Sequence, residues 1–179
     1  MDKKIILYTG HLYKWKGVDT LLKVAQDFQF PNALFVFVGG TKEDIKSFKE
    51  KAKNLDNVMI VGHKLYTEIP YWLKAADVLV LPNSGRQDIS KHWTSPLKVF
   101  EYMASRRPIV ASDLPSIREI LNEENAILVE PDNPQALSSG ILEALKNKQL
   151  SDKISSRAFE DVKQYSWDKR AEKICQKIF

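Results

Sequence analysis

The segment Ser95-Pro96-Leu97-Lys98-Val99-Phe100-Glu101-Tyr102-Met103-Ala104 runs, after two residues, into Arg107-Pro108-Ile109-Val110-Ala111-Ser112-Asp113. Ser95 suits an N-cap and Pro96 the first helical position, so a helix is expected to start there. Leu97, Phe100 and Ala104 fall on one apolar face. Lys98, Glu101, Tyr102 and Ser105 share the adjoining face at i, i+3, i+4, i+7 spacing. The apolar run after Pro108 reads as a buried strand. A helix start with free backbone N–H groups and a nearby lysine attracts anions. The Glu101 carboxylate, one turn further in, repels a phosphate but accepts hydrogen bonds from sugar hydroxyls.

The same helix-then-strand alternation extends in both directions. Strands are predicted over 4–9, 33–38, 58–61, 78–81, 109–111 and 126–129. Helices are predicted over 18–28, 43–52, 68–75, 96–105, 116–121, 133–147, 151–164 and 167–179, with Asn133 as a cap and Pro134 in its first turn. Such βα units give a parallel sheet buried on both faces. The near-continuous apolar run Leu34-Phe35-Val36-Phe37-Val38 fits a central strand. The class is therefore α/β, a Rossmann-like parallel sheet with helices on both faces. Polar signals (Gly10-His11, Gly39-Gly40-Thr41, Gly62-His63, Asn83-Ser84, Ser112-Asp113) follow the C-terminal ends of strands. Ligands of open α/β sheets bind in the crevice outside those ends.

Size and composition fit one ordinary domain. A chain of 179 residues buries roughly 70% of its unfolded surface. The net charge of +4 suits an anionic ligand or a membrane surface and does not demand nucleic acid. Cys175 is the single cysteine, so no internal disulfide is possible and a reducing cytoplasm is expected. The apolar run from Ile5 to Tyr8 is too short for a signal-peptide core or a membrane span. Peripheral contact with the inner face of a membrane stays open.

Several chemistries lack their motifs. No Gly-x-Gly-x-x-Gly follows a strand and no phosphate-binding Gly-x4-Gly-Lys-Ser/Thr loop occurs, which argues against a nicotinamide dinucleotide and a P-loop. His11, His63 and His92 have no metal-ligand spacing, so no metal site is expected. No nucleophile elbow is present. Gly10 and Gly17 bracket His11 and Lys16, an arrangement that lets backbone approach a phosphate with a lysine as counter-charge. The polar stretch from Asn83 to Thr94 reads as a long loop carrying Asp88 and His92.

These segments together resemble the C-terminal, donor-binding domain of retaining GT-B glycosyltransferases of the group 1 (family 4) type. Gly10-His11-Leu12 with Lys16-Gly17 is similar to the family's Gly-Arg-Leu…Lys-Gly loop, with His11 in place of arginine. Gly62-His63 and Asp77-Val78…Leu81-Pro82 stand where the family has them. Glu101-Tyr102-Met103-Ala104 resembles the end of its Glu-x7-Glu motif, whose first Glu is replaced by Trp93. The resemblance implies one half of a GT-B fold. Residues 1–165 would bind a UDP-sugar or GDP-sugar through Gly10, His11, Lys16, Gly62, His63, Ser95, Pro96, Leu97, Lys98 and Glu101, with no cofactor and no obligatory metal. Residues 166–179 would form a helix packed toward a missing N-terminal acceptor domain. It implies hexose transfer to a glycan or lipid-linked acceptor, with catalytic residues unassigned in this half. A non-catalytic nucleotide-sugar binding module, or half of a nucleotide-sugar epimerase, stays as an alternative.

Overall fold

The computed structural model describes residues 3–93 and 97–178. Six strands, β1 (Lys4–Thr9), β2 (Ala33–Val38), β3 (Val58–Gly62), β4 (Val78–Leu81), β5 (Ile109–Ser112) and β6 (Ile127–Val129), form one parallel sheet in the order β3-β2-β1-β4-β5-β6. This is the doubly wound Rossmann order, and it bears out the expected class. The predicted central strand is β2, buried along its whole length and paired residue for residue with β1 from Lys4↔Ala33 to Thr9↔Val38.

Alternation along the strands feeds two cores. Ile6, Tyr8, Phe35, Phe37, Val78, Val80, Val110 and Val129 face one side, against α1 (Val18–Asp27), α2 (Lys42–Ala52) and α7 (Pro134–Lys146). Leu7, Val36, Leu79, Leu81, Ile109 and Ala111 face the other, against α3 (Ile69–Ala75), α5 (Lys98–Ala104), α6 (Pro115–Arg118) and α8 (Lys148–Val162). Each fully buried aliphatic or aromatic side chain contributes about 1.5–3 kcal/mol.

Caps fix several helix starts. Thr41 and Asp44 form a reciprocal capping box on α2, and Asn133 accepts the Ala136 N–H at 3.0 Å to start α7, as its sequence predicts. Asn147 ends α7 and caps α8 through the Leu150 N–H at 3.1 Å. That second cap starts α8 three residues before the expected position. The stretch read as loop contains α4 (Asp88–Lys91), whose Ser90 is buried. The last helix, α9 (Trp167–Ile178), carries exposed Trp167 and Ile174. Among the described residues no helix is long and apolar enough to cross a membrane.

The expected apolar face of α5 needs correction. Its core face is Val99, Tyr102 and Met103, all fully buried, whereas Leu97 is 66% exposed and Ala104 is exposed. A seven-residue helix with apolar side chains on most sides has no unique apolar stripe. The choice was made by tertiary contacts, because the Tyr102 hydroxyl finds a partner on β1. The expected cap Ser95 and first-turn Pro96 lie outside the described residues.

Candidate functional site

β2 and β4 flank β1 and are reached through helices on opposite faces of the sheet, α1 and α3. The chain therefore reverses its winding between β1 and β4, and a crevice opens beyond Thr9 and Leu81. Gly17 makes this edge compact. Its backbone is left-handed (φ 72°), and a Cβ there would fall 1.6 Å from the Pro82 carbonyl oxygen. The Trp15 carbonyl then accepts hydrogen bonds from the Ser84 N–H at 3.0 Å and the Ser90 hydroxyl at 3.2 Å. The loop after β1 and the segment after β4 are laced through that one oxygen.

Lys98 reaches the end of β1 from α5. Its Nζ donates to the Thr9 carbonyl at 2.9 Å and lies 4.0 Å from the centroid of the Tyr8 ring. A Cβ on Gly10 would come within 3.4 Å of that Nζ. Lys16 sits in the neighbouring loop with its Nζ 3.8 Å from the Trp15 ring centroid. Burial lowers the Lys16 ammonium to about 8. Burial, then repulsion from Lys16, holds Lys98 well below the usual lysine range, while Glu101 acts in the opposite direction. Among the described residues neither lysine has a carboxylate ion-pair partner. The crevice thus holds two partly desolvated cations that an anion would stabilise.

The remaining predicted residues fall around this centre. Gly10, His11 and His63 line a pocket of about 180 Å³ with Gly39, Gly40 and Ile69, at the ends of β1, β2 and β3. Gly62 does not line it but is tied to its wall, its carbonyl accepting the Gly39 N–H at 2.7 Å. The His11 ring is exposed and stacks on Tyr13, 4.9 Å between centroids. Glu101 is half-buried in an adjoining groove of about 560 Å³ between α3 and α5, which shares Ile69 as a wall. No ion pair joins Lys98 to Glu101. Leu97 is exposed at the helix start, and Ser95 and Pro96 lie outside the described residues.

Among the described residues the side chain of Asn83, fully buried just beyond β4, has no hydrogen-bond partner, whereas the other polar residues at this edge are occupied or exposed. Asp113 is paired with Arg118, which holds its carboxyl below the usual range, and Arg118 also reaches Glu123. Asp88 and His92 lie on the exposed side of α4, and Trp93 is 81% exposed. Among the described residues no group of three His, Cys, Asp or Glu could hold a metal. Sequence reasoning missed Tyr8, Tyr102 and the Trp15 carbonyl. For the tyrosines, the signal was available only as bulky polar side chains at positions the strand and helix periods leave ambiguous.

The comparisons agree with this geometry. The profile of the family described as glycosyl transferases group 1 matches residues 1–161. The chain is 28% identical to an uncharacterised glycosyltransferase of Methanocaldococcus jannaschii, over 94% of this chain and 46% of that protein. The chain spans about half the length of the curated relatives it matches. In fold it is similar to Anabaena HepE, solved in complex with UDP-glucose, with a TM-score of 0.77, 21% identity, and coverage of 91% of this chain and 44% of that one. It is similar also to the C-terminal domain of the group 1 family protein LpcC from Francisella tularensis, with a TM-score of 0.73, 24% identity, and coverage of 90% of this chain and 85% of that one. Because that family match runs through the whole Rossmann-like sheet, the chain belongs to the group 1 glycosyl transferases.

Proposed function

We propose that this chain is the donor-binding half of a retaining GT-B glycosyltransferase that takes a hexose from a UDP-sugar or GDP-sugar. The observation that carries the reading is Lys98, beside Gly10, with Lys16 near enough to repel it, both partly desolvated and without ion-pair partners among the described residues. A diphosphate between them would restore the charged state that burial disfavours, each charge-assisted contact contributing about 1.5–3 kcal/mol. The same cations would stabilise the diphosphate as it leaves the sugar, the task that a metal performs in other transferases.

The rest of the nucleotide follows from the shared wall at Ile69. The ribose would lie on Glu101, whose carboxylate accepts from its hydroxyls. The base would lie against the backbone from Gly62 to Leu65, a turn fixed by the Leu65 N–H donating to Glu68 at 2.9 Å. His11, held near the phosphates, would add a donor. UDP-glucose bound by HepE supports a nucleotide-sugar donor. The acceptor, a glycan or lipid-linked sugar, would be bound mainly by an N-terminal domain toward which α9 packs, in the cytoplasm or at the inner face of a membrane. The 179 residues alone should then transfer no sugar.

A thermal-shift panel of UDP, GDP, ADP and their sugars tests the ligand class. A ligand at 100 times its dissociation constant stabilises by about 2.7 kcal/mol, so at least one diphosphate should raise the melting temperature by several degrees. A flat response to every diphosphate at millimolar concentration would contradict the reading.

A further inference from the structure

The end of β1 is held from both faces of the sheet by two fully buried tyrosines. From the α5 side, the Tyr102 hydroxyl oxygen accepts the Thr9 N–H at 2.9 Å and meets the Thr9 hydroxyl at 3.2 Å. From the other side, the Tyr8 hydroxyl donates to the His11 carbonyl at 2.6 Å. Lys98 takes the Thr9 carbonyl, and Val38 takes the Gly10 N–H at 2.8 Å. Among the described residues the His11 N–H has no acceptor. The turn Thr9-Gly10-His11 is thus tied through its strand-side groups and offers one free backbone donor at the mouth of the crevice.

We propose that Tyr8 and Tyr102 are positioning residues for the phosphates of the donor, fixing the Thr9–His11 turn so that the His11 N–H and the Lys98 ammonium face one anion. The inference rests on the donor-binding reading above. Neither hydroxyl lies at the pocket surface, so both act through the turn and not by touching ligand. Burial keeps both phenols protonated, pushing Tyr102 to about 12 and Tyr8 well above its ordinary value. Neither phenol therefore changes its charge near neutral pH. Tyr102 and Lys98 are one helical turn apart, so a single element sets the backbone of the turn and the charge beside it.

Tyr102→Phe and Tyr8→Phe remove only the hydroxyls and keep the packed rings. Three measurements on wild type and variants test the idea: exchange of the Thr9 and His11 amides without ligand, and calorimetric affinity for UDP and for uridine. Tyr102→Phe should speed Thr9 amide exchange about tenfold or more, leaving Leu7 protected. Either variant should weaken UDP about fivefold to tenfold while leaving uridine unchanged. A merely structural hydroxyl would alter the melting temperature without changing the ratio of UDP to uridine affinity. Unchanged UDP affinity, or equal losses for UDP and uridine, would overturn the proposal. If wild type binds no UDP while Thr9 exchange still responds to Tyr102→Phe, the donor reading has failed and the tie itself stands. If UDP binds and Thr9 exchange does not respond, the tie has failed and the donor reading stands.

Discussion

Glu101 and Lys16 make separable demands on the same ligand. Glu101→Gln keeps size and removes charge, and should weaken UDP binding by about 1–2 kcal/mol through lost charge-assisted hydrogen bonds. The melting temperature of the free protein should fall only slightly, because Glu101 forms no close ion pair with Lys98 and supports its charge only at longer range. Equal dissociation constants for wild type and variant would remove Glu101 from the site. Lys16 titrates near 8 in the free protein, and its charged form is the one that holds a diphosphate. The Lys16 contribution to UDP affinity should therefore be full below pH 7 and be lost as pH rises through about 8 toward 9. Lys16→Arg, always charged, should flatten that decline, and an unaltered profile would exclude Lys16. The glycines and lysines of the candidate site were legible because the chemistry proposed for them is carried by residue type and spacing. Tyr102 was misplaced and Tyr8 passed over, because a tyrosine is buried only if its hydroxyl meets a partner, and Thr9 lies 93 positions from Tyr102.

At the scale of elements, the loop after β1 and the segment after β4 act as one unit, joined where Gly17 meets Pro82. Gly17→Ala places a Cβ against a backbone carbonyl and forces a left-handed residue other than glycine. It should destabilise the fold by more than about 1 kcal/mol, measured by urea unfolding. A loss under about 0.5 kcal/mol would show that the two loops separate easily. The strands and their order along the chain were readable from apolar runs, and Asn133 was readable as a cap from its position before Pro134. The rotation of α5 was not, since Leu97, Val99, Phe100, Tyr102 and Met103 offer more than one apolar face over two turns. The short α4 was hidden for a related reason. Four residues carry no period, and its buried Ser90 is held by bonds to Trp15 and Ser116, distant in sequence.

At the scale of the molecule, alternating strands and helices implied a parallel sheet, but the order β3-β2-β1-β4-β5-β6 and the switch point came only with the structure. That order turns a row of polar strand ends into a crevice centred on β1. The last helix stands apart from it. Phe100 meets Tyr165, with ring centroids 4.9 Å apart, while Trp167 beyond is 77% exposed. Removing residues 167–179 should cost less than about 0.5 kcal/mol of stability and leave UDP affinity intact. A large loss of either would mean that α9 belongs to the donor fold itself. The most direct test of the whole account is calorimetry of the 179-residue chain with UDP, GDP and uridine. At least one diphosphate should bind at sub-millimolar concentration, and uridine should bind at least tenfold more weakly, since two charged contacts are absent. Binding of uridine as tightly as UDP, with no preference for GDP either, would contradict the claim that Lys16 and Lys98 form a diphosphate site.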